Sequence, residues 1–74
     1  MAHDFRKPDF SKHTLELRYE NNVVCIYGTA AGLTRLAELI MDLVEHPACG
    51  HTHLDPGAMR ELTKESEAGA IAVF

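Results

Sequence analysis

The sequence predicts a small two-layer α+β domain, in which one helix packs on one face of a four-stranded, mainly antiparallel sheet in the order β-β-α-β-β. Three observations lead to this prediction. The stretch 29–46 repeats apolar residues at helical spacing. The stretch 13–27 alternates apolar and polar residues, as half-buried strands do. Two shorter strand-like stretches follow the helix, at 51–55 and 70–74.

The stretch 13–27 predicts a β-hairpin. Asn tolerates positive φ, so Asn21-Asn22 suits a two-residue turn between the two strands. This turn places Tyr19 opposite Val24 and sets the register of the remaining pairs. The apolar residues of both strands then share one face, which we expect to lie against the helix.

The stretch after the hairpin predicts the single helix. Thr29 is the expected N-cap, because its hydroxyl can accept from a backbone N–H one turn further on. Pro47 ends the helix, since it has no N–H to donate and its ring clashes with a continuing turn. In the third and fourth strands we expect Leu54 and Ile71 to face inward.

Size and charge limit the classes of function. The 74 residues make one domain, which we place at 13–74, and we expect 1–12 to form a flexible N-terminal arm. A net charge of −4 disfavours nucleic-acid binding, which needs a basic face. Two cysteines are too few for a disulfide framework. We see no signal peptide and no membrane-spanning run, so we expect a cytoplasmic protein that does not bind membranes.

Side chains able to bind a metal are concentrated just after the helix. Four of them share one face if this stretch is extended: Cys49, His51, His53 and Asp55. Two histidines at i and i+2 on a strand can reach one zinc ion, and Cys25 is a candidate for a further ligand. The pattern resembles the His-x-His-x-Asp opening of metallo-β-lactamase-type hydrolases, but Pro56 stands where that pattern has a further histidine. The alternative is a set of polar residues on the open face of a sheet.

A protein-binding surface is the second candidate site. One helix covers only one face of a four-stranded sheet, so we expect the other face to be open and unusually apolar. The residues that we expect to bind a partner there are Val23, Cys25, Tyr27 and Phe74. On the solvent side of the helix, Glu38 and Asp42 could dock a basic partner. We find no catalytic constellation, since Cys25 has no flanking Lys or Arg to activate it.

Two short motifs and the closing hydrophobic strand resemble the small bacterial immunity proteins of polymorphic-toxin systems, specifically the immunity protein 32 family. The motifs are Gly28-x-x-x-Gly32-Leu33-x-x-Leu36-Ala37 and His51-x-His53-Leu54-Asp55-Pro56. The resemblance implies a protein that binds and neutralises a cognate toxin domain. It offers no catalytic residues to carry over, and it leaves the N-terminal arm outside.

Three hypotheses follow from the sequence. The first is a non-enzymatic immunity protein that blocks a toxin by occlusion, with a basic toxin domain as the candidate partner. The second is a small zinc-binding domain built on the His51-x-His53-x-Asp55 strand. The third, compatible with either, is a homodimer through the open sheet face or the edge of the helix. Apart from this zinc ion we expect no cofactor.

Overall fold

A computed structural model describes residues 7–74 and contains one helix and four strands. Their bounds are β1 Leu15–Glu20, β2 Val23–Gly28, α1 Ala30–Glu45, a 3-10 turn Pro47–Cys49, β3 His51–Leu54 and β4 Gly69–Ala72. The α+β class and the order β-β-α-β-β are therefore confirmed. The first six residues of the predicted arm lie outside the described part of the chain.

The strands form two two-stranded sheets, which corrects the expectation of one four-stranded sheet. β1 pairs with β2 and β3 pairs with β4, both antiparallel. Within residues 7–74, no ladder joins the two hairpins.

The first hairpin has the predicted turn and register. Asn21 and Asn22 have φ values of 51° and 63°, in the left-handed region that Asn adopts more readily than most residues. Tyr19 lies opposite Val24, and the pairing continues without a bulge to the end of β2. One face of the hairpin therefore carries the predicted apolar residues, but only Leu15 and Leu17 are buried there. Tyr19, Val24 and Ile26 are exposed, which corrects the expectation that the whole face lies against the helix.

α1 begins and ends close to the predicted residues. The backbone N–H of Gly32 donates to Thr29 Oγ1 at 3.1 Å, which is the expected N-cap. Gly32 also lets the first helical turn approach the chain before β1. A Cβ at this position would lie 2.0 Å from the carbonyl oxygen of Thr14. Only glycine fits this contact without displacing backbone.

The segment 61–67 lies along the outer edge of β1, where a third strand would stand. Leu15 donates its N–H to the Glu61 carbonyl at 2.9 Å and accepts from the N–H of Thr63 at 2.9 Å. Leu15 and Leu62 form an isolated parallel bridge. The segment thus satisfies backbone groups of β1 that would otherwise face solvent.

The same segment explains why the sheets stay separate. The N–H of Leu17 donates to the side-chain hydroxyl of Ser66 at 2.9 Å, whereas the Leu17 carbonyl accepts from the N–H of Glu67 at 2.7 Å. Because a hydroxyl replaces a backbone carbonyl, the ladder is interrupted beside Leu17. β4 begins two residues after Glu67 and pairs with β3.

The core is small and consists mainly of leucines. Its buried members are Leu15, Leu17, Leu36, Leu54 and Leu62, with Leu39, Met59 and Ile71 packed against them. These side chains come from β1, α1, β3, β4 and the connection between the last two strands. In the described part of the chain, no helix has both the length and the apolar character needed to cross a membrane.

Candidate functional site

The face of β1 that points away from the core holds a buried polar network. The side chains of Glu16 and Arg18 form an ion pair, and they are only 1% and 7% exposed. The hydroxyl of Thr63 donates to the other carboxylate oxygen of Glu16. The Arg18 guanidinium also lies 4.8 Å from the centroid of the Tyr27 ring and 3.7 Å from a carboxylate oxygen of Glu20. This network holds the first hairpin to the segment 61–67.

The network shifts the pKa of two of its members. Burial alone would lower the pKa of Arg18, but its hydrogen bond to Glu16 and the nearby carboxylates outweigh burial and raise it. Arg18 therefore stays charged in the folded protein. Burial, together with the hydrogen bond to Glu20, raises the pKa of Tyr27 to about 12. Both shifts indicate a structural network, because each group is kept in its ordinary protonation state at neutral pH.

The residues expected to form an open sheet face do not all lie open. Cys25 is buried, and Tyr27 is half-buried in the network. Val23 and Phe74 are exposed, but Val23 begins β2 whereas Phe74 lies beyond the end of β4, in the other sheet's part of the chain. A pocket of about 150 Å³ beside Glu16 is lined in part by Lys7, Pro8 and Asp9 of the N-terminal arm, and Pro8 is buried. The centre of this face is thus covered by the chain's own N-terminal residues.

Among the described residues, those expected to bind a metal do not converge on one point. His51, His53 and Asp55 are exposed, and the two imidazole rings meet edge to face with centroids 4.9 Å apart. Cys49 is exposed at the end of the 3-10 turn, and Asp55 accepts the backbone N–H of Gly57. Within residues 7–74, no three His, Cys, Asp or Glu side chains come together in a way that could hold a metal ion. The described geometry brings two of the predicted ligands into contact and adds no third.

The solvent-facing side of α1 carries an acidic stripe of Glu38, Asp42 and Glu45. Glu38 has one ionic neighbour, Arg35, at 3.6 Å. Among the described residues, Asp42 and Glu45 have no ionic partner. Both lie in the last helical turn, which contains no basic residue, and the first turn contains no acidic one. This arrangement opposes the helix dipole, since acidic side chains stabilise the first turn of a helix and weaken the last.

A second exposed surface lies on the β2 side of the molecule. We call it the β2-side surface; it consists of Val24, Ile26, Leu33, Ile40 and Val44, all at least 40% exposed. Leu33 packs beside the end of β2, because its side chain is the nearest neighbour of a Cβ built on Gly28. Ile26 and Ile40 line a shared apolar groove of about 530 Å³. Strand and helix therefore contribute to one apolar surface.

The width of the apolar arc on α1 explains this exposure. The sheet side buries Gly32, Leu36 and Leu43, whereas Leu33, Ile40 and Val44 lie next to them around the helix and remain exposed. A helix packed on one layer normally shows a single apolar stripe facing the core. The additional stripe of α1 is left without a covering layer by the described residues.

Three features of the structure are not indicated by the sequence pattern. The pairing of Glu16 with Arg18 was hidden, because alternating charged residues on a strand are typical of a solvent-facing side. Leu62, Thr63 and Ser66 are buried, but they lie in a polar stretch without a periodic apolar pattern, so the sequence does not predict their burial. Leu33, Ile40 and Val44 belong to the same helical repeat of apolar residues as the buried Leu36 and Leu43, so the spacing alone does not reveal that they are exposed.

Comparison with known proteins identifies one family. The model of the family described as immunity protein 32 matches residues 23–73, which is more than half of the chain. The match begins at β2 and includes α1, β3 and β4. No curated protein and no solved structure shows significant similarity to the chain.

Proposed function

The chain belongs to the immunity protein 32 family, and from this premise we propose that it neutralises a cognate bacterial toxin by binding to it and blocking its active surface, without catalysis of its own. The observation that carries the proposal is the family match over residues 23–73. The bacterial cytoplasm is the compartment in which such protection of the producing cell is needed.

We propose that the acidic stripe of α1 is the toxin-binding surface. Charges placed against the helix dipole cost about 0.3–1 kcal/mol each. Glu38 and Asp42 are also one turn apart, where like charges repel. Asp42 and Glu45 have no ionic partner among the described residues and oppose the helix dipole, whereas a basic toxin surface would be attracted to the stripe and would associate faster. The net charge of −4 acts in the same direction at longer range.

The proposed occlusion also uses exposed residues outside this stripe, rather than the whole opposite sheet face, part of which is buried. Val23 and Phe74 remain candidates for contact, since their side chains are exposed. Cys25 and Tyr27 would contribute indirectly, by holding the hairpin in shape. Electrostatic attraction would determine the rate of association, and apolar contacts would determine the lifetime of the complex.

The test uses the toxin domain encoded beside this protein. We would measure binding and protection from toxicity for the unmodified protein, for Asp42→Lys, and for Glu65→Lys as a control with the same change in charge on another surface. Asp42→Lys should stabilise α1 while weakening toxin binding about tenfold or more, because one charge reversal improves the helix and damages the interface. Equal effects of the two variants would exclude the acidic stripe as the binding surface. A failure to bind or neutralise any neighbouring toxin would overturn the proposed function itself.

Zinc binding by the strand His51–Leu54 remains a prediction from the sequence. Metal analysis of protein purified without a histidine tag, together with the change in melting temperature on adding zinc, would decide it. A bound zinc ion that His53→Ala removes would establish it. No bound metal and an unchanged melting temperature would eliminate it.

A further inference from the structure

The two edges of the first hairpin differ in their hydrogen bonding. The outer edge of β1 is covered, because the backbone groups of Leu15 and Leu17 bond to the segment 61–67. Consecutive residues of an antiparallel strand point their backbone groups to alternate sides. Residues 16, 18 and 20 of β1 therefore bond inward to β2.

The register then determines which groups of β2 face outward. The inward-bonding residues of β1 pair with Val23, Cys25 and Tyr27, so these three use their backbone groups within the hairpin. The backbone N–H and C=O groups of Val24 and Ile26 point away from the hairpin. No backbone hydrogen bond from the described residues reaches either one from the outer side. Among residues 7–74, this edge of β2 is therefore a row of donors and acceptors without a backbone partner.

This edge lacks the usual protection against pairing. Free edges in soluble proteins normally carry a charge, a proline or a bulge. β2 reads VVCIYG, with none of these, and its pairing with β1 is regular over all six residues. Val24 and Ile26 are also 73% and 53% exposed. Such an edge is suited to accept another strand.

We propose that the occupant is the β2 strand of a second copy, so that two chains form a symmetric dimer with a continuous sheet in the order β1-β2-β2-β1. Antiparallel pairing centred on Cys25 places Val24 of each copy beside Ile26 of the other. This is a register in which outward-facing backbone groups meet outward-facing groups over the whole strand. Antiparallel pairing of two identical strands in one sheet places the two-fold axis at right angles to the sheet, and the interface is isologous.

The helices support a second copy as the occupant. A two-fold axis at right angles to the sheet leaves both α1 helices on the same face, side by side across the new pairing. Their exposed stripes then face each other. Leu33, Ala37, Ile40 and Val44 follow the 4-3-4 spacing of helices that pack against one another. One interface thus covers both parts of the β2-side surface.

Charge also favours a second copy at this edge over a basic toxin. β2 contains no charged residue, so pairing with itself sets no like charges opposite each other. A basic segment would find no carboxylate on this strand. The acidic stripe of α1 lies on the side of the helix away from the sheet, so it stays accessible in the dimer. The dimer therefore does not depend on the proposed function, and it would present the toxin-binding surface twice.

The first test is the mass of the free protein in solution. Sedimentation velocity over a wide range of protein concentration should show twice the 8.2 kDa of the single chain. Ile26→Lys and Val24→Lys should each raise the dissociation constant of the dimer about tenfold or more, because lysine on an edge strand opposes strand addition. Ala48→Lys is the matched control. It adds the same charge at an exposed position in the 3-10 turn, outside β2 and α1.

The second test needs no substitution and follows individual backbone amides. Hydrogen exchange of the Val24 and Ile26 amides should slow as the protein concentration rises, whereas exchange of the Val23 and Cys25 amides should not change. Circular dichroism would verify that each lysine variant is folded. A monomer at every concentration would overturn the proposal. The proposal would also fail if the protein is a monomer and Ile26→Lys abolishes toxin binding, because the toxin would then be the partner that binds the edge of β2.

Discussion

The carboxylate of Glu16 and the guanidinium of Arg18 form an ion pair on the side of β1 away from α1, where both side chains are nearly excluded from solvent. The pair is fully hydrogen-bonded, and in the described residues no buried side-chain nitrogen or oxygen lacks a partner. Thr63 connects the pair to the segment that covers the edge of β1. The polar side of the first hairpin is therefore part of the folded interior.

Arg18→Met should destabilise the protein strongly, by about 3–5 kcal/mol in the free energy of unfolding, because it leaves the Glu16 carboxylate buried without its counter-charge. Urea denaturation would measure the change. Arg35→Met is the control, since Arg35 forms only exposed ion pairs and should cost less than about 1 kcal/mol.

The double variant Glu16→Leu/Arg18→Met should be more stable than Arg18→Met alone, because it removes both buried charges. This comparison remains informative even if the single variant does not fold. A single variant as stable as the unmodified protein would show that the pair is exposed in solution.

Tyr27 should make the folded state less stable at high pH. Its pKa is raised to about 12 in the folded protein, above the value of about 10 expected in the unfolded chain. Between these values the unfolded state has lost the phenol proton while the folded state keeps it. The stabilisation linked to the phenol proton is therefore fully present below about pH 10, and it is lost as pH rises from about 10 to about 12.

Tyr27→Phe is the variant that isolates this effect. Urea denaturation at a series of alkaline pH values should show a smaller loss of stability in the variant than in the unmodified protein. The tyrosinate absorbance step near pH 12 should also disappear. Identical pH profiles for the two proteins would contradict the raised pKa.

Gly32→Ala should be costly, although alanine normally favours a helix. The added Cβ would meet the Thr14 carbonyl at 2.0 Å, so α1 and the start of β1 must move apart. We expect a loss of more than about 2 kcal/mol, measured by urea denaturation. Gly57→Ala is the control: its Cβ would meet only the side chain of Asp55, at 3.3 Å. A stabilising effect of Gly32→Ala would show that the helix does not approach Thr14 so closely.

Leu62→Ala should destabilise the core by about 2–5 kcal/mol, because this side chain is only 2% exposed and the substitution leaves a cavity. Leu33→Ala removes the same atoms from an exposed position and should cost far less in the monomer. Thermal denaturation of both variants at low protein concentration, where any dimer dissociates, would compare them. Equal effects would mean that the segment 61–67 does not pack on β1.

The local elements could be predicted because each rests on chemistry within a few residues. The turn depends on Asn21 and Asn22, the start of α1 on Thr29, and its end on Pro47. Each of these predictions is confirmed. The register of the first hairpin followed from the turn and from the shared face of the apolar residues.

The arrangement of the second half could not be predicted, since it depends on contacts between distant residues. Nothing near Ser66 indicates that its hydroxyl replaces a backbone acceptor for Leu17. That replacement separates the two sheets. The expected binding face was misjudged for a related reason: Pro8 and the Glu16–Arg18 pair bury a surface that the local pattern assigns to solvent.

The bonds between β1 and the segment 61–67 also constrain how the chain folds. Thr63 and Glu16 are 47 residues apart in the chain, and Ser66 and Leu17 are 49 apart. Such contacts give a high contact order, which slows folding because a long loop must close before the contacts form. During synthesis on a ribosome, the hairpin and helix therefore emerge well before the residues that complete their core. In that interval the nascent hairpin has neither edge covered and is most exposed to aggregation.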